Sequence, residues 1–189
     1  TKAGAAVAAG AVVALREELE AAANRPTVAV TGAGPDRPDA AGVYVGTEAA
    51  LHRVERADTV AFLDFDREIL APRYRAGEHA IALLARAARL VGPRDRGGPI
   101  LVQTFLPDHE VVQAALLADP GRIVDAERER RRMLALPPYG AYAEISGTGS
   151  DEFVASLGTP ASAGSVVVVG GDGEYVAGGD DWMELGRVL

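Results

Sequence analysis

Two stretches, TVAFLDF at 59–65 and PILVQTF at 99–105, are nearly continuous apolar runs rich in β-branched and aromatic residues. A strand with one wet face alternates polar and apolar positions. A run without alternation predicts a strand covered on both faces, as in a parallel sheet under helices. Parallel neighbours need a long crossover between them. AGEHAIALLARAARLV at 76–91 supplies one, with helical periodicity and a stop at Gly92 and Pro93. Together these segments predict an α/β architecture.

The N-terminal third extends the same pattern. AVVALREELEAAA at 11–23 places Val12, Val13, Leu15 and Leu19 on roughly one side of a helix that Asn24 and Pro26 end. TVAVT at 27–31 and VYVG at 43–46 read as short strands, separated by GAGPDRPDAAG, a loop by composition. EAALHRV follows as a short helix.

Beyond residue 105 the rhythm changes. DHEVVQAALL at 108–117 and RIVDAERERRRMLAL at 122–136 read as two helices around Asp119-Pro120-Gly121. In the second helix Arg128, Arg130, Arg131 and Arg132 alternate with Asp125, Glu127 and Glu129, giving helix-spaced pairs such as Glu127–Arg131 and Glu129–Arg132. A solvated face is the preferred reading, with nucleic-acid contact by Arg131 and Arg132 as the alternative. Pro138 cannot continue the helix, and Pro137 restricts the residue before it to extended conformations, so the helix is expected to end near Ala135. AYAEISG at 141–147 then alternates as a half-buried strand, DEFVASL reads as a helix, SVVVVGGDGEYVAGG at 165–179 as a hairpin, and DWMELGRVL as a closing helix. The division expected is an α/β domain at 1–105, a helical connector at 106–138 and a small α+β domain at 139–189.

Composition narrows the chemistry. The chain has no cysteine, which removes disulfides, thiolate zinc sites and thiol catalysis. It has the apolar content of a folded protein, and its N-terminal Ala/Gly-rich stretch is too short to span a bilayer. The chain is expected to be cytoplasmic, with no membrane partner, and to be the tail of something longer. The net charge of −8 is unevenly spread. Residues 51–96 carry nine basic and seven acidic side chains, whereas 148–189 carry one and seven. A nucleic-acid surface, if present, belongs in the middle.

Candidate chemistry is thin. TGAGP at 31–35 follows a strand, but no Lys-Ser/Thr follows to make a phosphate loop, so it reads as an ordinary loop. Asp64 and Asp66 end a predicted strand and would share a face if it persisted. Magnesium binding is conceivable there, although two acids without a third ligand favour a structural role. His52, His79 and His109 lack metal-ligand spacing, and no serine has a nucleophile context. No catalytic constellation emerges, and a small α/β enzyme built on Asp64 and Asp66 stands only as a third alternative.

Three segments in order resemble the PriA family of replication-restart helicases (primosomal protein N′). VYVGTEAAL at 43–51 resembles its Gly-Thr-Gln motif through Gly46 and Thr47, with Glu48 in place of glutamine. TVAFLDFDREILAPRYRAGEHAIALLARAARLV at 59–91 resembles its Leu-Asp-x-Asp strand, carrying Asp64 and Asp66, and the Arg-Ala-x-Glu helix behind it. ILVQTFLPDHEVVQAAL and RRMLALPPYG resemble its Gln-Thr strand, following helix and Pro-Pro-aromatic junction, with Pro137, Pro138 and Tyr139 as the domain hinge. The resemblance spans about residues 43–147.

The resemblance implies a helicase second-lobe-like parallel sheet with flanking helices, followed by a small α+β C-terminal domain. It implies a role in replication restart and primosome assembly at stalled forks. Implied partners are branched or single-stranded DNA, primosome proteins, the replicative helicase and its loader, and single-stranded-DNA-binding protein, in a nucleoid-associated setting. The family's arginine-finger motif falls on RAARLVGP at 86–93, where Arg86 replaces glutamine and Leu90 and Pro93 replace the arginines. ATP, magnesium and zinc are family features whose binding residues this chain lacks. The expectation is therefore a degenerate member without helicase activity of its own, contacting DNA through Arg73, Arg75, Arg86, Arg89, Arg94 and Arg96. The alternative is an ATP-dependent DNA helicase lobe active only when joined to a first lobe.

Overall fold

The computed structural model describes residues 2–189 apart from 36, 37, 72, 94, 96, 158–166 and 172. The chain divides into two compact units, Thr1–Ala118 and Asp119–Leu189.

In the first unit helix α1 (Lys2–Ala23) starts earlier than its apolar periodicity suggests, because alanines sustain a helix without any packing pattern. Asn24 adopts φ +49°, a left-handed conformation suited to the end of a helix. Val12 is buried while Val13, a hundred degrees round the helix, faces water. α1 lies against strands β1 (Thr27–Val30) and β2 (Val43–Gly46), which pair in parallel with Thr27 opposite Val43 and Val30 opposite Gly46. Gly46 is obligatory: a Cβ there would sit 2.0 Å from the Val30 carbonyl oxygen.

The chain continues through α2 (Ala49–Arg53), β3 (Val60–Phe62), α3 (Asp66–Ile69), α4 (Ala76–Val91), β4 (Ile100–Val102) and α5 (Glu110–Leu116). β3 and β4 are parallel, with α4 crossing between them. The α/β class and the parallel pairing are as expected. Among the described residues, however, the strands form two separate two-stranded ladders, not one sheet.

Burial of these strands also differs from expectation. Val60, Phe62 and Ile100 pack on Leu51, Leu83 and Ala87 of α2 and α4. The opposite face is open: Leu101 is 55% exposed and Leu63 58%. An all-apolar run states which residues tolerate burial, and only the neighbouring helices decide which face is covered.

The second unit holds α6 (Arg122–Met133), β5 (Ala141–Ser146), α7 (Ser150–Ser156), β6 (Val167–Gly171), β7 (Glu174–Gly179) and α8 (Trp182–Val188). Its sheet is antiparallel, in the order β5-β7-β6. Ala141, Ala177 and Leu185 form the core, joined by Ala143, Ile145 and Val168. The α7 N-terminus is tied to the hairpin: the hydroxyl of buried Ser150 lies 2.9 Å from the Gly147 carbonyl oxygen and 2.8 Å from that of Gly173, with one proton to share between them, and Asp151 accepts from the Gly173 N–H and the Tyr175 hydroxyl.

α6 ends in a Schellman motif. Ala135 N–H donates to Arg132 O at 3.3 Å and Leu136 N–H to Arg131 O at 2.8 Å, with Ala135 itself at φ +48°. The prolines follow at once.

Candidate functional site

The segments singled out by motif converge at the C-terminal ends of β3 and β4. β3 stops at Phe62, Asp64 turns at φ +55°, and Asp66 opens α3. The two acids therefore do not share a strand face, which corrects that expectation. Asp66 accepts the Thr104 hydroxyl and, at 2.9 Å, the Phe105 N–H. Thr104 Oγ1 in turn accepts from Leu106 N–H at 2.9 Å. Asp64 lies 3.8 Å from the Arg67 guanidinium, and its N–H approaches the Gln103 side-chain oxygen at 3.4 Å. Asp66 is thus committed to holding the Gln-Thr segment. Among the described residues no three His, Asp or Glu side chains converge as a metal site.

A second cluster joins residues far apart in sequence. Thr47 leaves β2, and its Oγ1 approaches the Ala49 N–H at 3.4 Å, opening α2. Gly46 makes the tight passage described above, so the Gly-Thr-Glu turn aims Glu48 at α4. His79 Nε2 lies 3.0 Å from Glu48 Oε2 and 3.8 Å from Glu68 Oε2. That nitrogen is shielded from solvent and has no aligned hydrogen bond. Glu68 also accepts from Arg73 at 3.4 Å. This Glu48–His79–Glu68–Arg73 chain was invisible in the sequence, because helix α4 and the turns before it bring its members together only on folding.

The arginines separate into roles. Arg86 Nε donates to Leu51 O at 3.2 Å, clipping α4 to the end of α2. Arg75 pairs with Glu78 at 3.7 Å and stacks over Tyr74 at 5.4 Å. Arg89 is exposed and makes no ion pair among the described residues. Arg94 and Arg96 lie outside the described residues. Arg53, which the sequence did not mark, donates to the carbonyls of Thr31, Gly32 and Gly34. The TGAGP loop therefore turns carbonyl oxygens toward a cation, the opposite of a phosphate cradle. It borders a shallow cavity of about 220 Å³ lined by Val28, Pro35, Pro38 and Asp39.

In the second unit the arginine helix is paired as expected: Glu127–Arg131 at 2.9 Å, Glu129–Arg132 at 3.1 Å, Asp125–Arg128 at 3.3 Å, and Glu127 also with Arg130. Arg132 stacks over the Tyr139 ring at 5.0 Å. The Pro137-Pro138 bond is cis, and Tyr139 N–H donates to Leu136 O at 2.8 Å. Gly140 closes the turn where a Cβ would meet the Ala135 carbonyl oxygen at 2.0 Å.

No protein-family model matches the chain. Individual relatives do. The replication restart protein PriA of Chlamydia pneumoniae is 31% identical over 101 residues, 52% of this chain and 14% of that protein. PriA of Synechocystis is 26% identical over 114 residues, 59% of this chain and 14% of the relative. PriA of Thermotoga maritima is 30% identical over 101 residues, 51% and 13% of the two chains.

The chain is similar to PriA proteins over about half of its own length. Its matched segments span only 12% to 14% of the curated PriA proteins. On the PriA-like segments, the structure places Asp66 against Thr104 and Glu48 against His79, so the motif residues contact one another across β3, β4, α3 and α4. Among the described residues no helix is long and apolar enough to cross a membrane.

Proposed function

We propose that this chain is the C-terminal portion of a replication-restart protein and acts as a DNA- and partner-binding module at stalled forks. The observation that carries the reading is the sequence similarity to PriA proteins from several bacteria. In this reading the first unit is a helicase-like second lobe that does not turn over ATP. What supports that is the stretch at 86–93, where Leu90 and Pro93 stand in place of the motif arginines, and Arg86, whose Nε donates to the Leu51 carbonyl. Asp66 is likewise occupied by Thr104 and Phe105. ATP, magnesium and zinc chemistry would belong to other parts of the parent protein.

The DNA contacts are assigned to Arg73, Arg75 and Arg89, with Arg94 and Arg96 continuing the same segment. Arg75 over Tyr74 offers a charged, flat surface suited to phosphate and base. Such contacts bind without sequence preference and weaken steeply with salt. The remaining partners are the primosome proteins, the replicative helicase with its loader, and single-stranded-DNA-binding protein.

The test is fluorescence anisotropy of the chain on a labelled fork, a linear duplex and a single strand, with and without ATP. Fork preference that ignores ATP is expected. A flat titration at roughly 50 mM salt, where phosphate contacts are strong, refutes the DNA assignment. Binding that appears only with ATP refutes the non-catalytic one.

A further inference from the structure

The antiparallel register maps the outer face of the second unit's sheet residue by residue. Tyr142 pairs Gly178, which pairs Val167; Glu144 pairs Val176, which pairs Val169; Ser146 pairs Glu174, which pairs Gly171. Directly opposed residues project to the same side of a sheet. The core is on the other side, with Ala141, Ala143, Ile145, Val168 and Ala177 turned toward Leu185 of α8. The outer nine positions thus carry three valines, two glutamates and no basic residue. Val167 is 54% exposed, Val169 67% and Val176 38%. At Gly171 a Cβ would meet nothing within 4 Å, so this corner is open space.

Contiguous valines left in water on a sheet face mark a contact surface. Charge identifies the occupant. Glu144 and Glu174 lie among these valines, and residues 148–189 contain one basic side chain against seven acidic. Nucleic acid is repelled by such a face. A second copy of the chain laid on it would oppose like charges across a low-dielectric contact.

We propose that this face docks an extended peptide segment of another protein in which apolar residues and lysine or arginine take turns at every second position. The apolar side chains would cover Val167, Val169 and Val176, and the cations would meet Glu144 and Glu174. Successive side chains of an extended segment point to opposite sides, so apolar and basic residues two positions apart are what present both kinds to one pleated face. The surface is independent of the arginines assigned to DNA, so either assignment can fail alone.

The probe is a short labelled peptide with valine and lysine taking turns at every second position and serine between them, titrated by anisotropy against the whole chain, beside the same peptide with glutamate in place of lysine. Preference for the lysine peptide is expected. Val167→Thr with Val169→Thr keeps β-branched residues and leaves the net charge unchanged; it is expected to weaken binding about tenfold. Glu144→Lys with Glu174→Lys is expected to reverse the preference between peptides. An unchanged affinity in the threonine variant reduces the effect to bulk attraction by an acidic protein and overturns the proposal. Equal binding of the two peptides overturns it as well. Sedimentation of the chain alone provides the third arm: a dimer abolished by the threonine substitutions makes a second copy the occupant, and the proposal falls.

Discussion

Thr104 donates its hydroxyl to the carboxylate of Asp66, thirty-eight residues earlier, and the same carboxylate receives the Phe105 N–H at 2.9 Å. One acid thus holds the end of β4 to the start of α3. Hydrogen bonds to an ionised acceptor are among the stronger ones, about 1.5–3 kcal/mol each. Partial exposure moves this one to the lower end. Thr104→Val is expected to destabilise the first unit by about 1–2 kcal/mol, and Thr104→Ser by much less. Urea denaturation of both variants checks this; a larger loss in the serine variant would show that packing of the threonine methyl dominates.

Ala135 occupies the left-handed position after α6 without being glycine, at φ +48°. A Cβ in that conformation costs about 1 kcal/mol. Ala135→Gly relieves that strain while raising the entropy of the unfolded chain; the relief is expected to be the larger effect and the melting temperature to rise, and a lower melting temperature refutes this. The opposite change at Gly140 has no such latitude, because its Cβ would lie 2.0 Å from the Ala135 carbonyl oxygen. Gly140→Ala is expected to cost on the order of 2–4 kcal/mol, measured as a lower urea midpoint.

Arg86 and Arg89 are three residues apart on α4 yet should behave differently. Arg86→Ala removes the clip to Leu51 O and leaves that carbonyl short of its donor. A loss of about 1–2 kcal/mol in stability is expected. Arg89→Ala removes an exposed charge, leaves stability within about 0.5 kcal/mol, and is expected to lower the salt slope of DNA binding by about one. Chemical denaturation and salt titrations of both variants separate the roles. Identical behaviour would refute the distinction.

Tyr142 responds to alkaline pH. Burial, followed by its hydrogen bond to Glu144 and that carboxylate's charge, raises its ionisation above the ordinary 10.0. A raised folded-state value means that the neutral phenol is favoured by folding. The stabilisation is complete below about 10, the value in the unfolded chain, and is lost as pH climbs through the folded value. The second unit should therefore lose stability above that point, and Tyr142→Phe should flatten the loss. Melting temperatures across the alkaline range test this; a variant as steep as the parent assigns the slope to other groups.

Much of the secondary structure was legible locally. Helix α4 follows from its apolar spacing and its stop at Gly92, the end of α6 from the prolines behind it, and the hairpin from its glycines. Each of these depends on a few neighbouring residues, which is why periodicity and turn chemistry suffice. The α6 ion pairs were legible for the same reason, being separated by a single helical turn.

The remainder depended on which elements meet. LDFD reads as a structural turn in preference to a metal-binding strand end, but only the arrival of Thr104 shows what Asp66 holds. TVAFLDF and PILVQTF carry no mark of which face α4 will cover, and the open side of Leu63 and Leu101 appears only once it has done so. Glu48, Glu68 and His79 are unremarkable singly and form a charged cluster because α2, α3 and α4 set them side by side. Local sequence encodes conformational preference along the chain. Side-chain partnership between distant residues is a property of packing, decided when the elements exclude water from one another and the polar groups left between them must find partners.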